Sequence, residues 1–201
     1  MPVNAAVSAP LTSVQASNCN LTGAVPPSLC DATELQVLDL GRNALTGELP
    51  ICIHQWKQLT RLSLGSNKLS GAVPDGLGGL PEVISVDLSQ NKLEALPASI
   101  CGMHSLDIFD VSYNPLKRLS EGTCEECMNV SMSLIDLSET TTTSETLRPM
   151  LPLLGRIPLV SIRANSIDVL DFDVMFECVF EEIVDAKRDR DVGLQAGSKG
   201  L

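Results

Sequence analysis

The sequence predicts an α/β solenoid, a stack of short coils with a parallel sheet lining one face. Three observations point there. A pattern of apolar positions closed by Asn recurs along the chain, which is the mark of a stacked architecture. Aromatic residues are 3% of 201 residues while hydrophobic residues reach 44%, so Leu, Val, Ile and Ala must fill the core. Each copy also carries one short alternating apolar run, too short to bury its own face and suited to stacking on its neighbours.

The pattern Leu-x-x-Leu-x-Leu-x-x-Asn-x-Leu is clearest at Leu35, Leu38, Leu40, Asn43 and Leu45. It returns at Leu59, Leu62, Leu64, Asn67 and Leu69, then at Val83, Val86, Leu88, Asn91 and Leu93. The next copy is Leu106, Phe109, Val111, Asn114 and Leu116, so the starts are spaced by 24, 24 and 23 residues. Upstream, Leu11, Val14, Ala16, Cys19 and Leu21 form a copy with Cys at the Asn position. Downstream, the degenerate Met132, Ile135, Leu137, Thr140 and Thr142 precede Ile157, Val160, Ile162, Asn165 and Ile167. That makes about seven repeats, four of them strong.

Alternation within each copy makes a short strand with one face inward, and strands of successive coils should pair in parallel. The Asn turns the chain and offers an amide to backbone groups that the turn leaves unpaired. Asn43, Asn67, Asn91, Asn114 and Asn165 are therefore expected to form a structural ladder. Cys19 substitutes as a weak donor, and Thr140 predicts a loosened sixth coil.

Over residues 11–170 this pattern resembles the leucine-rich-repeat family. Thr22-Gly23-Ala24-Val25-Pro26, Thr46-Gly47-Glu48-Leu49-Pro50 and Ser70-Gly71-Ala72-Val73-Pro74 resemble its plant-type subclass. The resemblance implies a right-handed coil with a parallel concave sheet, and a second short strand in the first coils. From the fourth coil the segment shortens to Leu93-Glu94-Ala95-Leu96-Pro97, similar to the common shorter subclass, so a change of subtype is expected near residue 90.

The ends divide the chain into a lead over 1–10, the solenoid over 11–170, a C-terminal capping helix over 171–188 and a flexible tail over 189–201. The helix rests on Phe172, Phe176 and Phe180 at helical spacing, beside Met175, Val179 and Ile183. Asp171 or Asp173 can cap its start, and Lys187 and Arg188 suit its end. Ten residues leave little room for an N-terminal cap, which suggests a fragment or an atypical start.

Side chains between the strand leucines are expected on the concave face. One row is Gln15, Asp39, Ser63, Asp87, Asp110, Asp136 and Ser161; the next holds Gly41, Gly65 and Ser89; the third holds Arg42, Ser66, Gln90, Tyr113 and Glu139. Strands about 4.8 Å apart make a strip roughly 30 Å long, enough for a peptide or one face of a small domain. The candidate binding residues are Asp39, Arg42, Asp87, Gln90, Asp110, Tyr113 and Asp136. The plainer alternative is that the aspartates only hydrate the sheet.

A net charge of −11 argues against nucleic acid and against an anionic membrane surface. No run reaches the roughly 18 apolar residues of a spanning helix. Seven scattered cysteines read as reduced, small apolar residues rather than a disulfide framework. Cys101, His104, Cys124 and Cys127 repeat a spacing that could bring four zinc-type ligands together, or a disulfide, although a half-buried Cys and a turn His are the simpler reading. Only His54 and His104 could serve as an imidazole base, both on the outer side, and no phosphate-binding loop is present. No catalysis and no cofactor are expected.

The resulting functional reading is a protein-binding module, a scaffold or adaptor using its concave face, with a protein or basic peptide as partner. The alternative is a ligand-sensing ectodomain fragment of a larger receptor-like protein. A third reading is a regulatory subunit docking through the C-terminal helix. Unpaired cysteines and the missing leader point to the cytoplasm, whereas the plant-type segments and the sequons at Asn20 and Asn129 point outside. Localisation stays open.

Overall fold

The computed structural model describes residues 10–119, 132–141 and 157–161. The proposed helix over 171–188, the tail and Asn165 lie outside these residues. So do Cys124, Cys127 and the Asn129 sequon.

Seven three-residue strands, one per coil, form a single parallel sheet. They are β1 (Ser13–Gln15), β3 (Val37–Asp39), β5 (Arg61–Ser63), β7 (Ser85–Asp87), β9 (Ile108–Asp110), β11 (Leu134–Asp136) and β12 (Leu159–Ser161). Their order in the sheet is their order in sequence. The register is uniform: Val14, Leu38, Leu62, Val86, Phe109, Ile135 and Val160 stand side by side. These are the central apolar positions of the seven repeats, and from Leu38 to Ile135 they are buried. The strands pair only with their neighbours, so each coil gains its burial from the coils beside it.

A second parallel sheet runs along the edge of the coils. It contains β2 (Thr22–Gly23), β4 (Ala44–Gly47), β6 (Lys68–Ala72), β8 (Lys92–Leu96) and β10 (Arg118–Leu119). Gly23, Gly47 and Gly71 take φ of 86°, 81° and 79°, a bend that Gly adopts without steric cost. The change of subtype expected near residue 90 does not end this sheet. The fourth coil lacks the glycine, and the ladder absorbs the loss as a register shift between Gly71 and Ala72 opposite Leu93 and Ala95. Pairing then continues to β10.

On the opposite side the first four coils each close with a 3-10 turn: Pro27–Asp31, Ile51–Gln55, Asp75–Gly79 and Ala98–Gly102. Pro26, Pro50, Pro74 and Pro97 precede them. Each proline carbonyl accepts the first i+3 amide, from Leu29, Ile53, Leu77 and Ile100 respectively. Pro fixes φ before the turn and needs no donor there. Trp56 follows the second turn, fully buried, and its indole Nε1 donates to the Leu29 carbonyl of the preceding coil at 3.0 Å.

The first two turns are joined covalently. Cys30 and Cys52 form a disulfide with a Cα–Cα distance of 5.9 Å. This corrects the expectation of reduced thiols for these two positions. Cys30 and Cys52 occupy adjacent turns of consecutive coils, and the stacking brings them within bridging range. Cys19 is a free, exposed thiol.

Candidate functional site: the concave strand face

The ladder asparagines fix the end of each strand. Asn67 Nδ2 donates to the carbonyls of Leu64 and Gly65 in its own coil and Leu40 in the one before, and its Oδ1 accepts the Leu45 N–H at 3.0 Å. Asn91 and Asn114 repeat this arrangement on Leu69 and Leu93. Asn43 Oδ1 accepts two amides, from Cys19 and Leu21, and its Nδ2 reaches the Ala16 carbonyl. Asn43 thus serves a first coil whose own ladder position is Cys19, whose thiol donates to Ser17 O at 3.3 Å. In the sixth coil Thr140 keeps the bond to the carbonyl three residues back, Oγ1 to Leu137 O at 2.8 Å. An amide has a donor and an acceptor at one end, which is why Asn can satisfy two coils at once.

With the ladder set, the face has two side-chain columns. Alternation along each strand puts the first and third strand residues on the same side of the sheet. The third residues are the row from Gln15 to Ser161, in which Asp87, Asp110 and Asp136 are neighbours while Ser63 separates them from Asp39. The first residues are Ser13, Val37, Arg61, Ser85, Ile108, Leu134 and Leu159. Sequence reading overlooked this column. Plain period-two alternation predicts it, since the residue two before each member of the Asp row shares its face. Its last three members are apolar, and Ile108 and Leu159 are 40% and 58% exposed.

The aspartates hold backbone as well as face solvent. Asp39, Asp87, Asp110 and Asp136 each accept, through Oδ1, the N–H two residues on, at Gly41, Ser89, Ser112 and Ser138, over 2.8–3.1 Å. Asp87 also accepts the Ser89 hydroxyl at 2.7 Å. These are side-chain turns that end each strand. All four carboxylates are half-buried. Burial pushes the Asp110 carboxyl above its usual value, opposed by the Ser112 hydrogen bonds and reinforced by the like charges of Asp87 and Asp136.

The residues after these turns sit in the left-handed region: Asn18, Arg42, Ser66, Gln90, Tyr113 and Glu139, with φ between 53° and 56°. Their amides reach the next coil, as Arg42 N–H does to Gly65 O and Tyr113 N–H to Ser138 O, both at 2.8 Å. Arg42, Gln90 and Tyr113 therefore lie past the strand ends, in the turn, at one side of the aspartate column. Ser66 Oγ donates to Gln90 Oε1 at 3.1 Å along this row.

Among the described residues no group of three or more His, Cys, Asp or Glu could hold a metal. His104 is exposed in the turn after Gly102, and His54 is exposed on the 3-10 side with Nδ1 3.2 Å from Ile51 O. Two members of the proposed zinc set, Cys124 and Cys127, lie outside the described residues. No helix among the described residues is long and apolar enough to cross a membrane.

Two leucine-rich-repeat family models match the chain, over residues 57–116 and over 10–32 and 34–56. The chain belongs to the leucine-rich-repeat family. Its fold is similar to a plant peptide hormone receptor, RGFR1, solved in complex with RGF2, at 31% identity and a TM-score of 0.66. That match covers 78% of this chain and 25% of the receptor chain, so the leucine-rich-repeat chain here spans about a quarter of that relative's length. The ectodomain of the receptor kinase SOBIR1 from Arabidopsis thaliana matches at 26% identity and a TM-score of 0.53, over 65% of this chain and 67% of that one. The Arabidopsis receptor kinase HAESA, in complex with the peptide hormone IDA and the co-receptor SERK1, shares the fold at 24% identity and a TM-score of 0.63, over 78% and 26%. No curated protein sequence matches the chain.

Proposed function

We propose that this chain is a protein- or peptide-binding leucine-rich-repeat module, and that its concave face from Arg61 to Leu159 takes an extended segment of the partner. One observation carries the reading. In the fourth to seventh coils an apolar column, Ile108, Leu134 and Leu159, runs beside the carboxylates Asp87, Asp110 and Asp136. The strands spend their backbone groups on each other, so these side chains are what the face offers to a partner. A segment with alternating apolar and basic residues matches both columns. Asp39, Arg42, Gln90 and Tyr113 extend the same face at its sides. RGFR1, a plant peptide hormone receptor matched at 31% identity, is solved in complex with RGF2, which supports the peptide reading.

The test is capture of a partner by the intact chain compared with two folded variants. One carries Asp87→Lys, Asp110→Lys and Tyr113→Ala; the other carries Ile108→Glu. Loss of the same partner in both, with the intact complex weakening as salt rises, supports the reading. Equal capture by all three sinks it.

Between a scaffold and a ligand-sensing ectodomain, the Cys30–Cys52 bridge favours the second. Disulfides persist in oxidising compartments and are rare in the cytosol. Trapping the thiols in the protein from its own source decides this. A bridge resistant to alkylation before reduction supports an extracellular receptor segment, and two freely alkylated thiols return the module to an intracellular scaffold role.

A further inference from the structure

We propose that Asn20 is the acceptor of an N-linked glycan, an inference that rests on the extracellular reading above. Asn20-Leu21-Thr22 has the Asn-x-Thr form of an acceptor site. All three residues are exposed, and Thr22 begins β2, the outermost strand of the second sheet. Asn20 sits at φ 55°, in a turn between the two strands of the first coil. Its side chain makes no hydrogen bond among the described residues.

That distinguishes Asn20 from the ladder. Asn43, Asn67, Asn91 and Asn114 each spend Nδ2 on three carbonyls, and a sugar on that nitrogen would break the coil. None of them is followed by x-Ser or x-Thr. The backbone around Asn20 is held independently of its side chain, since the amides of Cys19 and Leu21 both go to Asn43 Oδ1. Glycosylation at Asn20 therefore costs the fold no native bond. The donor is an oligosaccharide on a polyprenyl diphosphate. The Asn20 amide nitrogen bonds to the sugar C1, the C1–O bond to the diphosphate breaks, the diphosphate leaves with that electron pair, and the amide gives up one proton to a base. The remaining Nδ2–H stays with the glycan-bearing amide. The sugar is then attached between two exposed neighbours in the chain, the free thiol of Cys19 and Leu21.

The experiment is site mapping by mass spectrometry on the full chain from its own source, before and after peptide-N-glycosidase, with the state of Cys30 and Cys52 read in the same sample. An oxidised bridge with a glycan on Asn20 is the expected result. Secreted Asn20→Gln and Thr22→Ala forms should each lose one glycan's worth of gel mobility shift, while Thr22→Ser keeps it. An oxidised bridge with a bare Asn20 overturns the glycan and leaves the extracellular reading standing. Reduced Cys30 and Cys52 with a bare Asn20 overturn both.

Discussion

The carboxylate of Asp87 lies over the bare Cα of Gly65, its Oδ1 2.5 Å from where a Cβ on that glycine would stand. Gly65 follows a strand that carries Ser63 rather than Asp, and the space its missing side chain leaves is where Asp87 turns to meet Ser89. Gly65→Ala must swing this carboxylate away. The expected cost is about 1 kcal/mol, the net worth of the Asp87 bonds. In an Asp87→Ala background the same change should cost nothing or stabilise slightly, because Ala narrows the unfolded ensemble. A double-mutant cycle by urea denaturation checks it; simple additivity would rule out the relationship.

Asp110 separates charge from hydrogen bonding. Its folded carboxyl titrates above the unfolded value of 3.8, so between the two the folded state binds more protons. Stability from this residue therefore falls as pH rises through that window. Asp110→Asn retains the Oδ1 acceptor for Ser112 N–H and removes the charge. The Asn variant should show a flatter stability profile from about pH 4 upward and unfold at higher urea than the parent at neutral pH. Asp110→Ala removes the charge as well as the acceptor, so it should share the Asn variant's flat profile and lie about 1 kcal/mol below it. Denaturation midpoints across pH measure both.

Asn67 is the ladder member with the clearest structural cost. Asn67→Ala strips a donor from three carbonyls and an acceptor from Leu45 N–H, all in a buried setting. A loss of about 3 kcal/mol is expected. Asn67→Asp has nearly the same shape but turns a carboxylate toward those carbonyls, and should be no better. Thermal unfolding of the two variants decides whether shape or donors matter.

The Cys30–Cys52 bridge closes a loop of 22 residues. On the chain-entropy account such a loop is worth about 3 kcal/mol. The double variant Cys30→Ser, Cys52→Ser should unfold correspondingly earlier, and a reductant should shift the parent but leave the variant unmoved.

The fold was legible because a repeat states its core many times over: any single copy is ambiguous, but seven aligned copies fix both the period and the inward face. The ladder asparagines stood out for the same reason. What escaped was anything depending on contact between coils. The Cys30–Cys52 pairing differs from the repeat period by two residues, and only the stacking of the turns brings the two thiols together. The apolar column of Ile108, Leu134 and Leu159 was written in the alternation and went unread. The dual role of the aspartates required knowing that the chain turns left-handed three residues later, at Arg42, Gln90, Tyr113 and Glu139, residue types that carry no such signal.

In an array where each coil touches only its neighbours, opening is local and starts where a coil is held least. The bridge between the first two 3-10 turns ties the coils of one end covalently. Opening is thereby made uneven along the described strands: amides of β1 and β3 should exchange more slowly in the oxidised chain than in the reduced one, while those of β11 and β12 should be unmoved, so that one stretch of the solenoid is stitched while the rest opens like a zip.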